Sequence, residues 1–434
     1  MRVAALVAFQ CVIFLAGSSE LFAQLEFDNA PISYSSSAAN DPVNRLQGKI
    51  DQGKVQLQHT SDRGYLESVL DSFGVSQASQ LLVFSKTSLQ FRRISPRTPR
   101  ALYFNDHVYV GWIPGSDTLE ISAVDPQLGA TFYTLSQYES KKPRFVRDQG
   151  NCLSCHASGR THGVPGHLVR SVYPDSNGLP HFGLGTFRTS HSSPLKKRWG
   201  GWFVTGTHGK QRHMGNAINA DRDRVSLDME GGANVTDLSK LTRVERYLTP
   251  HSDIVALMVL DHQTDMHNYI AYANYQTRIA LHHGAIINRA LDRPEDYISE
   301  STLRRIYNAV EKLVKCLLFV DETKLTDPVK GTSTFQTEFA KRGPFDKQER
   351  SLRQFDLKRR LFRYPCSFLI YSEAFQSLPV AAKKRVYRRV WEVVSGEDQS
   401  EAFSHLSEQD RDAIREILLS TIPSLADARS GNSE

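Results

Sequence analysis

The sequence predicts an α+β fold in three consecutive stretches: a β-rich N-terminal segment, an irregular middle segment and a mainly helical C-terminal domain. Three observations carry this. Between about 61 and 145, short runs rich in β-branched and aromatic residues alternate with turn residues. Between about 146 and 250, Gly, His and Arg accumulate and periodicity fades. From Ser252 onward, apolar residues recur at helical spacing. A hydrophobic content of 40% and a charged content of 23% belong to an ordinary globular chain.

The elements follow in order. Arg2 and the nearly unbroken apolar run 3–16 predict a signal peptide over 1–23, cut after Leu21-Phe22-Ala23 or, alternatively, after Leu15-Ala16-Gly17. An uncleaved anchor is the competing reading, but the run is short of the roughly 20 residues a span needs. The expected location is therefore periplasmic or secreted. Residues 24–60 are polar and include a Ser/Ala-rich stretch at 35–40, which predicts a flexible lead-in. A helix is expected at 64–73 and strands at 81–84, 101–104, 108–113, 119–124 and 130–135, giving a β-rich domain over 61–145. The middle segment covers 146–250 and the helical domain 251–425. In the latter, helices are expected at 252–281 with Ser252 as N-cap, at 301–320, after Pro379 and at 407–419. Met258, His262, Met266, Ile270 and Ala273 recur on one face of the first of these. Residues 426–434 predict a disordered tail, and no later stretch is long and apolar enough to cross a bilayer.

One motif carries chemistry. Cys152-Leu153-Ser154-Cys155-His156 has the spacing for covalent attachment of one haem c: two thiols add to the porphyrin vinyl groups and the next residue, His156, presents imidazole to the iron. A thioredoxin-like redox pair requires a strand before the motif and a helix after it, whereas here a loop, Arg147-Asp148-Gln149-Gly150-Asn151, leads in. A zinc site requires two further ligands at ribbon-like spacing, and Cys316 and Cys366 are too far apart in sequence to supply them. Met214, in a glycine-bearing loop downstream, is the candidate sixth ligand; His213, His208, His262 and an open site are the alternatives. Pro165 offers a carbonyl to the proximal imidazole or is an ordinary turn residue. Arg198 and Trp199 are candidate donors to haem propionates, with core packing as the competing reading. His262 reads either as a core histidine or as a ligand, and a five-residue step turns His267 away from it. Cys316 and Cys366 are either disulfide-bonded or two buried thiols.

The attachment motif places the middle segment with the c-type cytochromes. The whole chain resembles a set of large exported bacterial proteins, mainly planctomycete, described as cytochrome c domain-containing. The resemblance rests on 104–112 (FNDHVYVGW), 198–202 (RWGGW) and 360–367 (RLFRYPCS). It implies a cytochrome c-like haem segment but carries no activity. In small soluble cytochromes a helix leads into the motif; here the motif stands mid-chain after a β-rich stretch.

Taken together, these features predict a mono-haem c-type electron-transfer protein, with a haem-dependent oxidoreductase or a five-coordinate ligand sensor as the alternative. The non-haem bulk of the chain, well beyond one domain of about 100 residues, favours the alternative. The net charge of +6 is mild and there is no nucleic-acid-binding signature. A basic stretch over 341–389, with Lys358-Arg359-Arg360 and Lys383-Lys384-Arg385, suits either an acidic redox partner or a solvated helix surface.

Overall fold

The computed structural model describes residues 26–148 and 150–425. The expected signal peptide over 1–23 and the expected tail over 426–434 lie outside the described residues.

The fold is α+β. The expected lead-in is folded instead. Helix α1 (Pro42–Asp51) buries Val43 and Leu46, and Phe27, Ile32 and Tyr34 are core residues. The anchor is non-local: the Asp41 carboxylate caps α1 through Val43 N and Asn44 N, and also accepts from Thr131 Oγ1 at 2.8 Å and Tyr133 Oη at 2.5 Å. Helix α2 (Leu66–Phe73) follows and ends at Gly74 in the left-handed region.

Six strands form one antiparallel meander in sequence order: β1 (Leu81–Val83), β2 (Arg100–Phe104), β3 (Val108–Trp112), β4 (Thr118–Asp125), β5 (Gly129–Ser136) and β6 (Phe145–Arg147). The first five fall where the sequence places them; β6 was not expected. The pleat divides the side chains. Tyr103, Val110, Ile121 and Tyr133 pack on α1 and α2. On the opposite face, Leu81, Phe104, Tyr109 and Val124 join the core built around the C-terminal helices.

The middle segment is held together by short pieces: the single turn α3 (Leu153–His156), and strands β7 (Arg170–Val172) and β8 (Thr186–Arg188), which pair with each other. Strand β9 (Gly206–Thr207) pairs with β10 (Lys330–Gly331) far along the chain. Arg198-Trp199-Gly200-Gly201-Trp202 is a structural crossing point. The Gly201 carbonyl accepts from Phe84 N and Ser85 N. Gly201 has φ +87°, and a Cβ there would stand 2.5 Å from that of Ser85, so only glycine fits.

Helix α4 (Ile254–Ala290) is the spine. Asp253 caps it through Val255 N and Ala256 N, while Ser252 instead bonds Phe203 O and Leu82 N. It extends nine residues past the expected end, through Gly284. Every residue from Ile254 to Asn268 is buried, so its first half is enclosed all round rather than on one face. Around it lie α5 (Glu300–Leu317), α6 (Phe335–Ala340), α7 (Glu373–Gln376), α8 (Val380–Val394) and α9 (Glu408–Thr421). No helix among the described residues is long and apolar enough to cross a membrane.

Candidate haem-attachment site

The approach to the motif is set by Asp148. Its backbone N–H bonds Phe132 O on β5 at 2.8 Å, and its carboxylate accepts from Gly150 N and Cys152 N, both at 2.9 Å. This fixes the chain at the start of α3, whose one turn closes through Cys155 N and His156 N onto Cys152 O. Leu153 points inward, into a cluster with Phe132, Val164 and Tyr275. Cys155 is exposed and Cys152 half-buried.

His156 is held from both sides of its backbone and ring. Gly166 N donates to His156 O at 2.8 Å, and His156 Nδ1 donates to Gly166 O at 2.9 Å. The expected acceptor was the Pro165 carbonyl, one residue earlier; that oxygen takes the Ala130 N–H of β5 instead. Phe132 packs against the imidazole at 4.9 Å between centroids. Burial holds the His156 pKa below its usual value, opposed by the bond to Gly166, so the ring is neutral at pH 7. With the proton fixed on Nδ1, the lone pair is on Nε2, which makes no hydrogen bond to the described residues.

The surroundings of Cys152 are not those of an activated redox thiol. Burial, then the negative charges of Asp148 and Glu120, push the Cys152 pKa up to about 12, the reverse of an activated thiolate. The motif itself forms a single helical turn, and no long helix follows it. Among the described residues, the one His/Cys group that converges on a point lies elsewhere.

Beside α3, the sheet carries the half-buried ion pair Arg100–Glu120 at 3.1 Å, and Glu120 also accepts from Ser88 Oγ. Both charges act on His156 and on Cys152. The loop bearing Ser88 is joined to the 175–185 turn by Lys86 N to Gly178 O. Between them these loops expose Leu89, Phe91, Leu179 and Phe182. Arg170, whose guanidinium lies over Phe182, is within electrostatic reach of Cys155. Through Arg170, the exposed Phe182 is the one of these four side chains tied to the neighbourhood of the exposed thiol.

The other expected ligands are placed differently. Met214 is buried, with its Sδ 3.6 Å from the Ser171 hydroxyl, and no hydrogen bond links it to His156. Arg198 and Trp199 are core residues and do not offer donors to a cofactor. Arg198 bonds Asp261 Oδ2, His191 O and Ser193 O, and Trp199 Nε1 donates to Asp261 Oδ2 at 3.0 Å. His208 and His213 pack against each other with tilted rings, 4.7 Å between centroids. His262 bonds Ser367 Oγ and faces His191, while His267 points to the sheet against Tyr109, as the five-residue step requires. Cys316 and Cys366 are free, buried thiols. In the basic stretch, Arg360 pairs with Asp410, and Arg389 with Glu311, Glu392 and Asp398, which removes much of its unbalanced charge.

No family model, no curated protein and no solved structure matches the chain.

Proposed function

We propose that this chain is an exported mono-haem c-type cytochrome that transfers electrons through a haem bound to Cys152 and Cys155. The observation that carries the reading is His156. Its Nδ1–H is locked onto the Gly166 carbonyl and its Nε2 is left unbonded beside two thiols, which is the orientation an axial imidazole needs. A haem held there supplies a one-electron Fe(III)/Fe(II) couple. Cys152 and Cys155 would tether it and His156 would ligate the iron; Phe132 and Gly166 keep the imidazole from rotating. The apolar side chains on the neighbouring loops suit one face of a macrocycle better than they suit water.

A second reading is favoured by Met214. Its sulfur is engaged by Ser171 inside the protein, which supports an iron without methionine opposite His156 and hence ligand binding or redox catalysis rather than simple transfer.

Expression with haem-maturation machinery and export tests the first reading. One iron per chain is expected, as a c-type pyridine haemochrome that survives denaturation and acid-acetone extraction, and attachment should be lost in Cys152→Ala/Cys155→Ala. Extractable haem, or none, overturns it. The near-infrared methionine–iron band decides between the two ligation states. Its presence in the wild type and loss in Met214→Ala supports transfer; its absence from the wild type supports the second reading.

A further inference from the structure

Far from α3 in sequence, three metal-ligating side chains meet in the core. His191 comes from the loop after β8, His262 from the buried half of α4 and Cys316 from the last turn of α5. All three are buried, and their ligand atoms lie within 4.8 Å of one another. The two imidazoles face each other through Nδ1, 3.2 Å apart. Each outer nitrogen has its own partner: His191 Nε2 is 3.3 Å from Val320 O, and His262 Nε2 is 2.7 Å from Ser367 Oγ. Phe319 stacks on His262 at 4.0 Å and touches His191 at 5.1 Å, fixing both rings.

We propose that His191, His262 and Cys316 form a second metal centre, separate from the haem motif, for one thiophilic first-row transition-metal ion, zinc or copper. Three features point this way. The first is the pattern of outer bonds. His191 Nε2–H can only donate to the Val320 carbonyl, so its Nδ1 presents a lone pair inward; the Ser367 hydroxyl anchors the second ring, and when it accepts from His262 Nε2–H, that ring too turns a lone pair inward. This is how ligating imidazoles are oriented. The second is spacing. Two nitrogens 3.2 Å apart, each about 2.0–2.1 Å from a shared ion, subtend an angle of roughly 100°, near the tetrahedral value. The third is the sulfur. Cys316 Sγ makes no hydrogen bond to the described residues, although it lies beside two polar rings. A hydrogen bond between the imidazoles would account for the nitrogens alone and leave the thiol unexplained.

The surroundings agree with a cation. Asp265, one turn beyond His262 on α4 and paired with Arg188, places negative charge that acts on both Cys316 and His191. Met258, one turn before His262, shares a small cavity with His191 and offers a further soft donor. Both rings are buried, and with the His262 proton on Nε2, donated to Ser367 Oγ, both Nδ1 atoms present lone pairs to an ion. The Cys316 thiol is pushed up by burial, and binding exchanges its proton for the metal: the S–H bond breaks, the S–metal bond forms, and one proton is released per ion.

The test uses the mature haem-bearing chain, with iron counted separately so that the haem reading stands or falls on its own result. After chelation and dialysis, zinc or copper(I) is returned alone, and bound metal is measured by mass spectrometry and by X-ray absorption at the zinc and copper edges. One ion per chain is expected, with one sulfur and at least two nitrogen neighbours. Occupancy should fall at least tenfold in Cys316→Ser and in His191→Gln, and affinity about 10–100-fold in Ser367→Ala, which loosens only the His262 anchor. Should these variants misfold, the wild-type absorption spectrum still decides. No bound zinc or copper, or a metal with no sulfur neighbour, overturns the proposal. So does binding that is unchanged in folded Cys316→Ser.

Discussion

The position that joins the haem motif to the core is Gly166, and Gly166→Ala tests that join. A Cβ at this residue would strike Asn268 Oδ1 and come within 3.0 Å of Thr161 Cβ. Asn268 cannot simply swing away. It is buried on α4, where Oδ1 accepts from His167 N and Nδ2 donates to His167 O, both at 2.8 Å. Overpacking of this kind costs about 1–3 kcal/mol. Straining two buried hydrogen bonds adds about 1 kcal/mol, so a loss of about 2–4 kcal/mol is expected in urea unfolding. Asn268→Ala alone leaves the His167 N–H and C=O without partners and should cost about 2–4 kcal/mol. In the double variant the clash is already absent, so the two losses should fall short of additivity by more than about 1 kcal/mol. Because the Gly166 carbonyl holds His156 Nδ1, the potential of the attached haem should shift in Gly166→Ala and stay near wild type in a surface control such as Lys384→Ala. A neutral Gly166→Ala, or strict additivity, refutes the packing argument.

Two further predictions concern buried acids. Burial raises Glu322 to about 7, opposed by its bond from Leu361 N and by the nearby charges of Arg198 and Arg360. A carboxyl raised in the folded state favours folding while protonated. That contribution is complete below about pH 4 and is lost as pH rises through 7, so Glu322→Gln should be neutral at pH 4 and gain about 2–3 kcal/mol at pH 8; equal effects at both pH values would count against it. Asp41→Ala removes a helix cap and leaves the Tyr133 hydroxyl unpaired, while Thr131 keeps its bond to Ala123 O, which should lower stability by about 2–4 kcal/mol; a loss below about 1 kcal/mol would mean that the α1–β5 link is not structural.

The parts of this molecule that were legible in the sequence are those where a local pattern decides the structure. Strands β2 and β4 alternate buried and half-buried residues, β1 and β3 are short buried runs between turn signals, and α5, α8 and α9 carry one apolar stripe each. The Cys-x-x-Cys-His spacing is likewise local. What could not be read depended on residues far away. Helix α1 has few apolar positions and a serine-rich approach; it is held by Thr131 and Tyr133, about ninety residues on. Arg198 and Trp199 have the chemistry of propionate donors, and nothing nearby in sequence shows that Asp261 engages them. The Gly166 carbonyl replaces that of Pro165 because β5 supplies the N–H that Pro165 accepts. His191, His262 and Cys316 span 125 residues without any motif spacing, and only the packing of α4 against α5 brings them together.

Helix α4 also gives a reason for the size of the chain. Asn268 clamps the segment that orients His156, and His262, less than two turns earlier on the same helix, faces His191 and Cys316. Six residues of helix advance about 9 Å, so both candidate centres are referenced to one stretch of helix that is buried throughout from Ile254 to Asn268. A loop-borne haem motif, with only one helical turn of its own, has little internal stiffness. Packed between the sheet and α4, it takes its geometry from both. The meander fixes Asp148 through Phe132 and takes up the Pro165 carbonyl through Ala130, while α4 fixes His167 beside Gly166. The elements around the motif therefore leave its imidazole one orientation.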